Sequence, residues 1–157
     1  IGTTTAAVIF NTKVPVLAIP EQATDNWLTH FKTIVYATNF ESSDFIAMDR
    51  LIKLVKPFEC KVICLHVNRG NNGELDEAML EGMREALSEK YPYAAFDCRL
   101  VHSQNLPTAI DQFIQDNGID ALAITTHRRN LLTRLFNPGI ARKMILHTKT
   151  PVLVFHA

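Results

Sequence analysis

The sequence has little of several features that mark specialised proteins. Three cysteines in 157 residues are too few for a disulfide framework. Because Cys60, Cys64 and Cys98 lie in or beside apolar runs, we expect free buried thiols of a reducing compartment. Basic and acidic residues number 16 each, which leaves no excess positive charge for nucleic acid or an anionic membrane. The sequence predicts a cytoplasmic protein without nucleic-acid or membrane partners.

Residue patterns typical of metal ligation and covalent catalysis are also missing. The six histidines lie far apart and lack the i, i+4 spacing of zinc ligands. Ser42, Ser43 and Ser103 have no nucleophile-elbow context, and apolar strands deny Cys60 and Cys64 the accessible, electropositive setting of a nucleophile. We therefore expect no metal site and no catalytic residues. This pattern favours a protein that is not an enzyme.

One short passage occurs twice in the chain. Residues 11–20 (NTKVPVLAIP) reappear as residues 147–156 (HTKTPVLVFH), so that Thr12 corresponds to Thr148, 136 residues later. A fixed offset of this length indicates a tandem repeat of modules. We expect residues 1–20 to be the last helix and strand of a truncated first module. Residues 21–30 are then a linker, and residues 31–157 form one complete module.

Beyond residue 31, apolar runs typical of strands alternate with helical patterns. Strands are predicted at residues 33–37, 61–67, 96–101, 121–125 and 152–155. The first two helices carry apolar stripes, formed by Phe45, Met48, Leu51, Ile52 and Val55 and by Leu75, Met79, Met83 and Leu87. Asn105 is expected to cap the third helix and Gly118 to end it in a left-handed conformation. Strict alternation predicts an α/β fold with a parallel sheet between helices, whose ligands bind at the carboxyl ends of the strands.

The order of several local sequences resembles the universal stress protein family. Residues 32–40 (KTIVYATNF) resemble its opening strand and residues 65–67 (LHV) the end of its second strand. Residues 124–136 (ITTHRRNLLTRLF) and 148–154 (TKTPVLV) resemble its fourth strand, phosphate loop and final strand, and residues 2–19 resemble its last helix and strand. The resemblance implies a role in the stress response. It also implies a five-stranded parallel sheet of strand order 3-2-1-4-5, an adenine-nucleotide alpha-hydrolase-like fold, with an N-terminal remnant strand in addition.

The resemblance also implies where a nucleotide would bind. Family members that bind ATP carry three spaced glycines, the last followed by serine or threonine, and their bare backbone presents N–H groups to phosphate. In this chain the three glycine positions are occupied by Thr125, Arg128 and Pro138, and the serine or threonine position by Gly139. At the end of the first strand, Asn39 replaces the family's aspartate. The family's site maps onto Ala37, Asn39, Val67, Thr125, His127, Arg128, Arg129, Gly139 and Ile140. Because every motif position has changed, we expect no cofactor.

Two functional hypotheses follow from this degenerate loop. The favoured one is a non-catalytic module that acts through regulation or interaction. The alternative is an ATP- or AMP-binding stress module with weak or no ATPase activity, in which Arg128 and Arg129 replace the glycine N–H groups. In the repeat, Gly2-Thr3 corresponds to Pro138-Gly139, so the truncated first module retains part of the ATP motif.

The remnant strand predicts self-association. In the family resembled here, the last strands of two modules meet across a two-fold axis, and an exposed last strand leaves N–H and C=O groups without partners. The expected interface residues are Val14, Val16, Leu17 and Ile19 on one strand and Val152, Leu153, Val154 and Phe155 on the other. These strands pair within one chain or are swapped between two chains. We expect a dimer or a larger assembly.

Replacing Arg128 and Arg129 together by alanine tests the arginine hypothesis. We expect the double variant to lose any affinity of the chain for AMP or inorganic phosphate, because both guanidinium forks are gone. Isothermal titration calorimetry measures this affinity, and Arg50→Ala is the control for a general loss of positive charge. Unchanged affinity of the double variant would contradict the hypothesis.

Overall fold

A computed structural model describes residues 7–9, 11–23, 26–126 and 148–157 of the chain, and within them six strands form one sheet. The strands are Val16–Ala18 (β1), Thr33–Ala37 (β2), Lys61–Asn68 (β3), Phe96–His102 (β4), Ala121–Thr126 (β5) and Val152–His156 (β6). The α-helices are Ser42–Val55 (α1), Gly73–Lys90 (α2) and Leu106–Asp116 (α3), and Trp27–His30 and Lys56–Phe58 are short 3-10 helices. Within the described part of the chain, no helix is long and apolar enough to span a membrane.

The sheet has the order β1-β6-β5-β2-β3-β4. Strands β2 to β6 run parallel to one another. When these five strands are numbered 1 to 5 along the chain, their order in the sheet is 3-2-1-4-5. This confirms the α/β fold expected from the sequence. The addition to the parallel sheet is β1, a sixth strand that pairs antiparallel with β6.

Two apolar clusters lie on opposite faces of the sheet. One joins β-strand side chains to α3, with Ile110 fully buried at its centre, and the other joins them to α1 and α2, with Met48, Leu51 and Met83 nearly or fully buried. All six residues of β5 are buried, because a central parallel strand is covered by helices on both sides. The molecule is therefore a three-layer sandwich, as parallel sheets require.

The predicted apolar stripes are correct only in part. Phe45 on α1 is 43% exposed, and Leu75 and Met79 on α2 are 60% and 41% exposed. Helix α2 buries the predicted Met83 and Leu87 together with Leu80. In its first turn, the Asp76 carboxylate contacts polar side chains of β3. The predicted stripe is therefore correct in the second half of this helix and wrong in the first.

The helix ends follow from local chemistry. The side chain of Asn105 accepts a hydrogen bond from the backbone N–H of Thr108, at 3.1 Å, which confirms the predicted cap of α3. Gly118 has a φ of 58°, in the left-handed region that glycine tolerates, and this confirms the predicted end of the helix.

The N-terminal segment packs on the rest of the chain. Residues 7–9 and 11 are helical, and Ile9 is fully buried in the cluster that contains α3. Further along, the Trp27 indole N–H donates to the backbone carbonyl of Asp120, at 2.9 Å. Strand β1 thus lies beside β6 within one chain, between two anchored segments.

The pairing of β1 with β6 is symmetric with respect to the sequence repeat. Under the 136-residue offset, Val16 is equivalent to Val152, Leu17 to Leu153 and Ala18 to Val154. The structure pairs Leu17 with Leu153, its own equivalent. The two flanking pairs are Val16–Val154 and Ala18–Val152, and the repeat offset converts each of them into the other. The ladder therefore has a local two-fold axis through the Leu17–Leu153 pair.

A charge at Val16 should destabilise the fold, whereas one at Val14 should not. Val16 is half-buried against the α3 cluster, and Val14 is 63% exposed outside the ladder. We expect Val16→Asp to lower the free energy of unfolding by about 2 kcal/mol or more, because a carboxylate is forced against apolar side chains. Val14→Asp should change it by less than about 0.5 kcal/mol. Urea denaturation measures both values, and equal effects would show that β1 contributes nothing to the core.

Candidate functional site

The carboxyl ends of β2, β3 and β5 meet where the strand order changes direction. β2 lies between β3 and β5, so the order of the strands changes direction at β2. In open parallel sheets this crevice is the usual ligand site. Polar residues collect there and are buried: Tyr36, Thr38, Asp44, His66, Asn68, Thr125 and Thr126.

Asp44 is the centre of the buried polar network. Its carboxylate is only 3% exposed and accepts hydrogen bonds from the hydroxyls of Tyr36 and Thr38, at 2.7 and 2.8 Å. It also accepts backbone N–H groups of Asn39 and Glu41, at 2.8 and 3.2 Å. Four donors thus satisfy one buried anion. The carboxylate ties the end of β2 to the first turn of α1.

The hydroxyl of Tyr36 links this network to β5. Tyr36 donates its one hydroxyl hydrogen to Asp44, so the 2.7 Å bond between Tyr36 and Thr125 uses the Thr125 hydroxyl as donor. Burial and the Asp44 carboxylate raise the pKa of Tyr36 well above its usual range. Tyr36 therefore remains a donor. The hydroxyl hydrogen of Thr125 is consequently donated to Tyr36.

A second polar group lies at the end of β3. The His66 ring is 6% exposed, with Nδ1 at 3.0 Å from the backbone carbonyl of Thr38 and Nε2 at 3.2 Å from the Asp76 carboxylate. Asn68 also donates to Asp76. Both ring nitrogens of His66 face oxygen atoms. His66 and Asp76 thus fasten α2 to the carboxyl edge of the sheet.

Phe40 covers this second group in an unusual backbone conformation. Its φ is 61°, a left-handed value that a bulky residue rarely adopts. The ring lies 4.3 Å from the His66 ring, between centroids, and the Phe40 N–H donates to the Thr38 hydroxyl at 3.0 Å. Such strain is retained where the surroundings fix it, commonly at ligand sites.

The space between these residues is small. A cavity of about 10 Å³ is bounded by Ala37, Thr38, Asn39, Leu65, His66, Val67 and Leu106. That volume is close to the minimum for a single water molecule. An adenine ring does not fit into this cavity.

The structure brings together four of the residues expected at a nucleotide site. Ala37, Val67 and Thr125 are buried at adjoining strand ends, and Asn39 is half-buried just beyond β2. The other candidates, His127, Arg128, Arg129, Gly139 and Ile140, lie outside the described residues. Of the expected interface residues, Val16 pairs with Val154 and Leu17 with Leu153, whereas Val152 pairs with Ala18. Val14 and Ile19 are 63% and 52% exposed. Among the described residues, no three His, Cys, Asp or Glu side chains are placed to hold a metal ion.

The buried network is not among the features expected from the sequence. Asp44 belongs to a polar run, residues 41–44, that is typical of a helix N-terminus, and in the structure it also accepts the hydroxyls of Tyr36 and Thr38. A signal was present, because Glu41 and Asp44 have the spacing of a capping box and the inward-facing Tyr36 needs a hydrogen-bond partner. For His66 and Asp76 no comparable sequence signal exists.

With the fold and the strand-end site described, the family can be stated. The model of the universal stress protein family matches residues 30–156, and the chain belongs to that family. No curated protein sequence is significantly similar to the chain. Solved structures share the fold at low sequence identity.

Three solved universal stress proteins illustrate the likeness. One from Archaeoglobus fulgidus DSM 4304 is 15% identical, with a TM-score of 0.78, and the match covers 99% of this chain but 55% of that chain. One in complex with cAMP is 18% identical with a TM-score of 0.61, covering 80% of this chain and 97% of that chain. One from Archaeoglobus fulgidus in complex with dAMP is 18% identical with a TM-score of 0.60, and the match covers 79% of this chain and 97% of that chain. At these identities the similarity establishes the fold.

Replacing Asp44 by asparagine should be costly. The amide keeps one acceptor oxygen but directs an NH₂ group at donors, so buried N–H or O–H groups lose their partner. We expect a loss of about 3 kcal/mol in the free energy of unfolding, measured by urea denaturation. Asp111→Asn, an exposed carboxylate on α3, is the control and should change it by less than about 0.5 kcal/mol. A neutral Asp44→Asn substitution would contradict the role assigned to the network.

Proposed function

We propose that this chain is a pairing module of the universal stress protein family, which acts by binding a companion module and not by catalysis. The observation that carries the proposal is the symmetric ladder between β1 and β6. In that ladder Leu17 faces Leu153, its own equivalent in the repeat. Such a register is what two copies of one module produce when their last strands meet across a two-fold axis. In this reading β1 is the last strand of the companion.

An apolar groove crosses the same axis. It has a volume of about 580 Å³, and its lining includes Leu17 and Leu153 together with Trp27, Leu54, Phe58 and Phe155. Among the described residues, Arg50 is the one charged residue that lines it. Leu28 and Leu54 are 54% and 52% exposed, which is unfavourable for large apolar side chains in water. Since the axis passes through the groove, a companion module would bring its own equivalent surface to cover it.

The companion is proposed to be a module of the same fold in the same polypeptide. Supporting this, the likeness to the Archaeoglobus fulgidus DSM 4304 protein covers 99% of this chain and only 55% of that longer chain. The two nucleotide complexes match about four fifths of this chain and nearly all of their own. The match to the longer relative therefore includes nearly all of the N-terminal segment.

Nucleotide binding is the second candidate function. Its support is that two of the related structures are complexes with cAMP and dAMP. Against it stand the changed motif positions, including Thr125, whose hydroxyl donates to Tyr36. The backbone N–H of Asn39, at the opposite side, donates to Asp44. Both groups are thus already satisfied without a ligand.

Thermal denaturation with and without nucleotide separates the two candidates. A ligand at a hundred times its Kd stabilises a protein by about 2.7 kcal/mol. We expect no change in Tm with AMP or with ATP and magnesium, because the donors at the strand ends are internally paired. An increase in Tm that corresponds to a stabilisation of this size would support nucleotide binding in place of the pairing module.

Removing residues 1–20 should strengthen self-association. The shortened chain retains the family-matched segment 30–156, which corresponds to nearly the complete chains of two related structures and so contains the folding unit. Without β1, the β6 edge is open and a second copy can pair with it. We expect a lower dissociation constant for the shortened chain than for residues 1–157, measured by sedimentation equilibrium. Equal or weaker association would contradict the pairing proposal.

Leu54 and Leu75 provide matched variants for this experiment. They lie on α1 and α2 and are similarly exposed, at 52% and 60%, but only Leu54 lines the groove. In the shortened chain we expect Leu54→Asp to weaken association about tenfold or more, because an unpaired carboxylate would be buried. Leu75→Asp should leave association unchanged. Equal effects of the two variants would show that the groove is not the contact surface.

A further inference from the structure

Two of the three cysteines lie side by side in the sheet. All three are free thiols, as the sequence predicts, and the register of β3 and β4 pairs Cys64 with Cys98. Both side chains point into the apolar cluster beneath α1 and α2. Neighbouring strands lie about 4.8 Å apart, and the Cα atoms of disulfide partners are usually about 4.4–6.8 Å apart. The backbone therefore places the pair within disulfide range.

Cys64 is surrounded by other sulfur-bearing side chains. Its thiol donates a hydrogen bond to the Sδ of Met83, at 3.3 Å, and its partner in the strand register is Cys98. The interaction with Cys98, together with burial, raises the pKa of the Cys64 thiol. Cys64 is therefore held as a thiol next to the sulfur that it would attack.

The two cysteines differ in their access to solvent. Cys64 is fully buried, whereas Cys98 is half-buried on β4, which is the outermost strand on its side of the described sheet. An oxidant from solvent therefore meets Cys98 first.

We propose that Cys64 and Cys98 form an intrachain disulfide when the protein encounters hydrogen peroxide. The Cys98 thiolate attacks one peroxide oxygen and the O–O bond breaks, giving a sulfenic acid and hydroxide, which takes up a proton to become water. The Cys64 sulfur then attacks the Cys98 sulfur. The S–O bond breaks and the second oxygen leaves as water with the Cys64 proton. Overall, two thiols lose two electrons, and one peroxide gains them to give two waters.

Cys60 serves as an internal reference for this reaction. It precedes β3, is buried, and has no cysteine opposite it in the strand pairing. Burial raises the pKa of its thiol to about 12. Cys60 is therefore expected to survive the peroxide treatment as a free thiol.

Intact-protein mass spectrometry tests the proposal on the 157-residue chain. After peroxide treatment, removal of the oxidant, unfolding and alkylation, we expect one alkylated thiol in place of three and the loss of two hydrogens. Peptide mapping should find Cys64 linked to Cys98, and dithiothreitol should restore all three thiols. Three alkylatable thiols, a link between two chains, or sulfinic acid at Cys98 without a link would each overturn the proposal.

Two serine variants complete the experiment. Cys60→Ser should form the disulfide as the unaltered chain does, and Cys98→Ser should leave Cys64 alkylatable after the same treatment. Circular dichroism checks that each variant is folded, and the peptide map of the unaltered chain decides the question independently of both. Loss of the disulfide in Cys60→Ser, or a linked Cys64 in Cys98→Ser, would overturn the assignment.

Discussion

The open edge of β6 is the constraint on which the rest of this structure depends. A parallel sheet built from one module ends in a strand whose outer N–H and C=O groups have no partner, and an uncovered edge invites pairing with other chains. Here β1 closes that edge in the antiparallel direction. The closure places Leu17 opposite Leu153, and the apolar groove that contains both leucines crosses the same axis. The surface proposed for a companion module is thus a consequence of how the edge is closed.

The polar groups at the carboxyl ends of the strands also need hydrogen-bond partners. In many α/β proteins a ligand satisfies the polar groups at this edge. In this chain the Asp44 carboxylate receives the hydroxyls of Tyr36 and Thr38 and two backbone N–H groups, and His66 and Asp76 form a second satisfied group. Both of these groups are paired within the protein itself.

The fold was largely predictable from the sequence because its signals are local. Continuous apolar runs such as residues 61–67 indicate strands buried on both faces, and Asn105 and Gly118 mark helix ends through their own side-chain chemistry. The site was less predictable because its contacts are distant in sequence. Tyr36 and Thr125 are 89 residues apart, and no periodicity indicates that their hydroxyls meet. Asp76 on α2 likewise contacts His66, ten residues earlier on β3, and no periodicity indicates that contact.

The most direct measurement of the central claim is the strand register in a crystal structure of the chain shortened to residues 21–157. If the module pairs by the symmetry seen between β1 and β6, two copies will join antiparallel through β6, with Leu153 opposite Leu153 of the second copy. The apolar groove will be covered by α1 of that copy. Copies that meet through β4, or with β6 left unpaired and the groove exposed to solvent, would contradict the account.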